Sequence, residues 1–424
     1  MTSQTPPTGW QLAPSAVPGI VVYEPIPDDP SRLDAPDGGY RCPRCAGPMA
    51  FSPEQGALAC EQCSYAAATQ AEPAEIKTTR FTEAAIREAS ESWTLERRDL
   101  HCDGCGVDLA IAPGTLVVNC PFCGSNQVLL REGTVRGLRP SAVLPFAVEH
   151  ESLTEPVRAW LGAGWLHPSD LASHALLERF SGIYLPFWLF DARCDARWTA
   201  EVGRSVARTV RRNGRSVVEH RIEWRRASGR IRLDLNNRRV FGSTRVALGL
   251  IRSAGPYHLA DLVPYAPGFL AGWQALTYDI GLTEAWDRAR AGMREHVRQE
   301  CGRDTGHDRV RNLAVRADFD DERWRYALLP MHLCAYTYNG KSYSIAVNGQ
   351  TGVVAGSRPV VWPRVHMAIA GLFTPGVVLG LVGLALLFVG IGALVLILAL
   401  ILLLLAGMGS FLLVKHALFL EDPQ

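Results

Sequence analysis

Eight of the 11 cysteines fall into four Cys-x-x-Cys pairs: Cys42/Cys45, Cys60/Cys63, Cys102/Cys105 and Cys120/Cys123. Fourteen residues separate the first two pairs, and fourteen the last two. A Cys-x-x-Cys turn aims two thiolates at one ion, and two such turns complete a tetrahedral four-sulfur shell. Pro43, Gly47, Gly104, Gly106, Pro121 and Gly124 are the residue types that tight knuckles need. The spacing therefore predicts two zinc ribbons and two Zn2+ ions, one per ribbon. Cys42, Cys45, Cys60 and Cys63 would hold the first ion, and Cys102, Cys105, Cys120 and Cys123 the second. Metal binding also supplies folding free energy that a module of roughly thirty residues cannot draw from a core. Four thiolates leave no open position for a catalytic water. Iron favours the same shell, and the sequence leaves zinc or iron open. A thioredoxin-like dithiol would be one pair opening a helix in a βαβ unit, which four pairs among turn residues do not resemble.

The elements that carry these pairs end at a membrane signal. Val365 to Val414 contains no Asp, Glu, Lys or Arg. A bilayer core about 30 Å thick needs roughly 20 apolar helical residues, so this run predicts two spans. Gly390-Ile391-Gly392 marks the break, with helices from about Ala368 to Val389 and Ala393 to Val414. One long tilted helix after Pro375 is the competing reading. Arg358, Arg364 and Lys415 flank the run and place the N-terminal bulk in the cytoplasm by the positive-inside rule. The N-terminus shows no apolar signal-peptide region. The expected location is the inner (plasma) membrane, in a reducing compartment where structural disulfides are disfavoured.

Residues 1–39 are Pro-rich and read as a disordered arm. Ribbon 1 covers 40–66, a helical spacer 67–99 and ribbon 2 100–130. In the spacer, Phe81 to Glu91 has helical periodicity. Residues 131–362 read as an α+β, mainly antiparallel cytoplasmic domain, and 363–420 as the transmembrane hairpin. In the α+β domain, Leu153–Trp165, Pro168–Phe180 and Leu282–Cys301 read as helices. Asn213-Gly214 and Asn339-Gly340 mark hairpin turns, and Asn348 to Gly352 a third turn. The fold class is multi-domain: two four-cysteine ribbons, a mainly antiparallel α+β domain and a C-terminal helical hairpin.

The formal net charge is +1, yet Asp191 to Arg252 holds 16 Arg against six acidic residues. A solvated face, anionic lipid contact and nucleic-acid phosphate are the three readings of that segment. The ribbons lack a basic footprint: His101 to Leu130 contains two Asp and no Arg or Lys. No phosphate-binding loop, His-Glu-x-x-His, Gly-x-Ser-x-Gly or dinucleotide fingerprint occurs, so neither an enzyme nor a small-molecule substrate is indicated. Cys194, Cys301 and Cys334 have no metal spacing.

The knuckles Cys42-Pro-Arg-Cys45 and Cys120-Pro-Phe-Cys123-Gly124 belong to a wider set of blocks. These are Gly182-Ile-Tyr-Leu-Pro-Phe-Trp188, Phe269-Leu-Ala-Gly-Trp273, Leu329-Pro-Met-His-Leu333 and Tyr343 to Gly352. With the C-terminal hairpin, they resemble bacterial membrane-anchored proteins with TFIIB-type zinc ribbons, over roughly residues 40–420. Some members carry the name of the primosomal replication helicase. The resemblance implies membrane-protein partners of the phage-shock or flotillin-like (SPFH) kind, recruited during envelope stress. The expected function is a non-enzymatic, membrane-tethered adaptor, with a membrane-tethered nucleic-acid-binding protein as the alternative. The Pro-rich N-terminus and the Arg-rich hairpin have no counterpart in the family pattern.

Overall fold

The computed structural model describes residues 10–13, 22–25, 40–69, 75–82, 93–103, 107–111, 120, 128–171, 180–212, 215–389 and 392–421. Its strands, in chain order, begin with β1 (Trp10–Ala13) and β2 (Val22–Pro25), an antiparallel pair that corrects the expectation of a wholly disordered arm over residues 1–39. A three-stranded ribbon follows: β3 (Met49–Ser52), β4 (Ala57–Cys60) and β5 (Ala66–Ala67). Then come β6 (Thr79–Arg80), β7 (Trp93–Cys102), β8 (Asp108–Ile111), β9 (Val128–Gly137) and β10 (Ala142–Val143). Helix α1 (Thr154–Gly162) precedes the longest strands, β11 (Ser181–Arg212) and β12 (Arg215–Phe241). Helix α2 (Leu248–Ser253), β13 (Val263–Pro264), β14 (Gln274–Leu276) and helix α3 (Leu282–Asp304) lead to β15 (Val310–Tyr338). The chain ends in β16 (Lys341–Asn348), β17 (Val354–Gly356), α4 (Trp362–Ala385) and α5 (Gly392–Glu421).

The long strands β12, β11 and β15 form the spine, antiparallel throughout. Around their base the sheet is mixed, because β10 runs parallel to β15 and β14 parallel to β11. Near Ser181 both sheet faces are covered, so Ile183 to Phe190 is a continuous buried run. Beyond Asp191 burial alternates, because α3 covers one face only. Its Trp286, Ala289, Met293, Val297 and Cys301 pack with Ala192, Cys194, Ala196 and Trp198. The sequence alternates plainly only over Thr199 to Trp224, because Arg fills the exposed face, and the expected Asn213-Gly214 turn of this hairpin lies outside the described residues.

The change from two covered faces to one coincides with irregularities in all three strands. The β11 register shifts between Phe190 and Ala192, and Asn237 and Asp321 take left-handed φ of 54° and 51°. Such bulges sharpen twist and bend a sheet. They are tied together here: Asn237 N donates to Asp191 Oδ1 at 2.6 Å, and Arg325 meets both Asp191, at 3.3 Å, and Asn237 Oδ1.

Several expected boundaries shift. The expected spacer contains β6, which pairs with Arg323 and Trp324 of β15, and the start of β7. Phe81 stacks on Trp286 at 4.6 Å. The helix expected over Phe81 to Glu91 lies largely outside the described residues. The expected start of the α+β domain, residue 131, falls inside β9, whose antiparallel pairing with β7 spans Trp93 to Cys102. Strands β9, β7 and β8 continue into the main sheet through β14. The second cysteine region is therefore an extension of that sheet. Asn339 (φ 49°) and Gly340 (φ 77°) form the expected hairpin turn between β15 and β16.

Helices α4 and α5 are each long and apolar enough to cross a membrane, and form a hairpin. Their most apolar windows are only 11% and 17% buried, unlike core helices of a soluble protein. Gly376 and Gly383 of α4 face Leu403 and Leu396 of α5, where an added Cβ would come within 2.8 and 3.0 Å. Small residues let apolar helices approach closely. At the corner, a Cβ on Gly392 would lie 2.4 Å from the Leu387 nitrogen, so only glycine fits.

The pair is joined to the sheet domain by specific bonds. Arg364 donates to the Trp165 and His167 carbonyls at 2.8 and 2.6 Å. Arg358 donates to those of Trp160 and Ala163 at 2.6 and 2.8 Å. Leu166, Val365 and Ala417 form a small buried cluster at the junction.

Candidate metal centre

The first ribbon brings Cys42, Cys45, Cys60 and Cys63 together, with all four ligand sulfurs within 4.8 Å of one another. The Cys42–Cys63 and Cys45–Cys60 sulfur separations are 3.5 and 3.4 Å. A tetrahedron with bonds of about 2.3 Å has edges of about 3.8 Å, so the donor set fits a zinc-sized ion.

Two turns with the same hydrogen-bond pattern make this geometry. The Cys42 N–H donates to the Gly47 carbonyl at 2.8 Å, and the Cys60 N–H to the Tyr65 carbonyl at 2.8 Å. Four residues after each leading cysteine the chain turns left-handed, at Ala46 (φ 58°) and Ser64 (φ 55°). Each of these residues returns its N–H to the leading cysteine's carbonyl, at 2.8 and 3.2 Å. The Arg44 N–H also points at the Cys42 sulfur, 3.4 Å away. Burial pushes the Cys60 thiol up, but the Gln62 and Cys63 N–H groups and neighbouring sulfurs hold it at about 7. The Gly47 N–H favours a Cys45 thiolate, yet Cys60 and desolvation outweigh it and push that thiol to about 12. Like-charged sulfurs this close need a cation before all four can ionise.

The ribbon is docked on the sheet domain through the block Phe269 to Trp273. Phe51 N–H donates to the Ala271 carbonyl at 2.9 Å, and Trp273 Nε1 to the Phe51 carbonyl at 3.0 Å. Phe51 and Phe269 rings lie 5.2 Å apart. Gly272 has φ +80°, and a Cβ there would meet Ala50 at 2.7 Å, which explains the glycine. Trp273 then stacks on Phe146 at 3.9 Å, and Phe146 packs on Tyr184 and His332 at 5.0 and 4.8 Å. Gly182 makes room for this stack, since a Cβ there would sit 2.0 Å from the Trp273 ring. The sequence singled out these blocks without showing that they are one contact chain from knuckle to sheet.

In the second region the structure places Cys102 and Cys120 in one buried cluster with Val107 and Leu276. The Cys102 N–H donates to the Val107 carbonyl at 3.0 Å, repeating the bond that Cys42 and Cys60 make five residues on. Cys105 and Cys123 lie outside the described residues. Cys194, Cys301 and Cys334 are buried in the apolar core, and burial pushes the Cys194 thiol up to about 11.

The Asn348 to Gly352 turn is likewise structural. Buried Asn348 accepts from the Gln350 and Thr351 N–H groups and donates to the Ala254 and Pro256 carbonyls. Gln350 Nε2 donates to Asp261 Oδ2 at 2.8 Å and holds the segment after α2 in place.

No protein-family model matches the chain, and no solved structure matches it. The chain is similar to a Bacillus subtilis (strain 168) protein described as "Uncharacterized protein YdjG". The two are 26% identical over 334 residues, 78% of this chain and 93% of the relative. The similarity thus extends well beyond a single cysteine ribbon.

Proposed function

We propose that the chain is a membrane-anchored adaptor of the TFIIB-type zinc-ribbon kind, without catalytic activity. The observation that carries this reading is the closed four-thiolate cluster, docked on a sheet domain that is itself bonded to two apolar helices. A four-sulfur shell around zinc stiffens a loop-rich surface and leaves no position for substrate. The knuckle bond at Cys102 supports a second ion held by Cys102, Cys105, Cys120 and Cys123. Arg358 and Arg364 at the base of α4 favour a cytoplasmic sheet domain. The partners the resemblance implies are phage-shock-type or flotillin-like membrane proteins.

The strand path separates the distal Arg row from the anchor along the chain. Tyr338 ends β15 beside the anchor, where Lys341 meets Glu421 at 3.5 Å. Arg316 lies 22 residues back along the same strand. At about 3.3 Å per residue that is about 70 Å of strand.

The test is purification from detergent-solubilised membranes of wild type and Cys60→Ser. The reading expects a protein partner that is lost with the variant. Nucleic acid that co-purifies and is lost with the variant would replace it with the nucleic-acid reading.

A further inference from the structure

The distal part of the β12–β11–β15 sheet turns one face to α3 and the other to water. Register lays the water-facing side chains in rows across the three strands. In one row Arg193 of β11 stands between Asp234 and Asp320. Eight residues along, Glu201 stands between Arg226 and Arg311, with Arg311 Nε 2.6 Å from Glu201 Oε2. In both rows the central strand carries the charge opposite to its neighbours, as cross-strand pairing favours.

Two rows between them break this rule: Asp195 faces Asp318 in one, and the row midway is uniformly basic. It is Arg230, Arg197 and Arg316, one guanidinium on each strand, all exposed. Arg230 is bound by both carboxylate oxygens of Asp195. Arg197 and Arg316 have no ion-pair partner among the described residues. Like charges directly opposite each other destabilise a sheet, and with the Asp195 carboxylate taken by Arg230, Arg197 and Arg316 are the departure from the local rule.

We propose that this row is a docking site for an acidic segment of a partner protein, whose carboxylates bridge Arg197 and Arg316. Strands lie about 4.8 Å apart, so the two guanidiniums present adjacent forks, and such forks bind carboxylates in bidentate fashion. Thr199 and Ser228 supply hydroxyl donors in the next row. Asp195 and Asp318 close the patch on the other side. These flanking carboxylates limit the positive patch to about one row, which matches a short acidic segment and is too short to track a continuous phosphate backbone. The site is on a different element from the cysteine ribbon, so it stands independently of the adaptor reading of the knuckles.

The test uses the full chain in detergent micelles and a short fluorescent peptide with four consecutive glutamates, read by anisotropy at low salt. Variants are Arg197→Glu, with Arg252→Glu on α2 as the surface-charge control. Arg197→Glu gives the row the alternating pattern of its Glu201 neighbour. Its affinity should fall by about tenfold or more while its Tm holds or rises. Arg252→Glu should bind within about twofold of wild type. Unchanged affinity in Arg197→Glu overturns the proposal. So does a fall in its Tm, which marks the row as structural. Tighter binding of single-stranded oligothymidylate, lost in the same variant, also overturns it in favour of phosphate.

Discussion

His332 makes the stability of this protein depend on pH in a way that can be calculated. It is fully buried on β15, against Phe146. Its Nε2–H donates to the Val148 carbonyl at 2.9 Å, and Nδ1 has no hydrogen-bond partner among the described residues. A second proton would therefore land on Nδ1 in apolar surroundings. Burial accordingly lowers the pKa from 6.5 to about 4, against the raising effect of the Val148 bond. Between those values the unfolded chain binds a proton that the folded chain refuses. Stability is then complete above pH 6.5 and declines as pH falls to about 4. The difference is about 2.5 units at 1.36 kcal/mol each, or about 3 kcal/mol. His332→Gln retains a side-chain N–H but cannot titrate, and isolates this one group from the carboxylates. Thermal unfolding of both proteins in detergent at pH 7.5, 6, 5 and 4 measures it. The wild type should lose about 3 kcal/mol more than the variant over this range. Parallel pH profiles would refute the argument that this ring is buried neutral.

Four further outcomes follow from the contacts and from the charges that flank the helix pair. Gly182→Ala should expel Trp273 from its stack on Phe146, at a cost of about 1–3 kcal/mol, visible as red-shifted tryptophan emission. Arg325→Ala leaves Asp191 without its closest cation and should cost about 2–3 kcal/mol in denaturant unfolding. Gly392→Leu should prevent the tight α4–α5 corner. A protease applied outside intact cells should leave residues before 364 intact in wild type, and cleavage there would reverse the proposed orientation.

The sequence was most legible where one physical signal dominates. The charge-free run from Val365 to Val414 yields the helix pair, because a bilayer dictates its length. The Cys42 to Cys63 spacing yields the four-sulfur cluster, because a tetrahedral ion dictates ligand number. The long strands were harder. In β11 and β12 the exposed face is Arg-rich and the covered face uses small residues such as Ala192 and Ala196, so apolar alternation is weak. Long-range contacts were not legible at all. That Gly182, Phe146 and Trp273 meet Phe51 requires knowing that β14 runs parallel to β11. The three-Arg row likewise exists only through register, since Arg197, Arg230 and Arg316 are far apart in sequence.

Metal content per chain tests the account most directly. Elemental analysis of the purified full-length protein should find two zinc ions per chain in wild type. In Cys60→Ser the first site should be empty and the second retained. Protein that is folded and free of any bound metal would contradict the account, because the knuckles would then be held without the ion that their sulfurs surround.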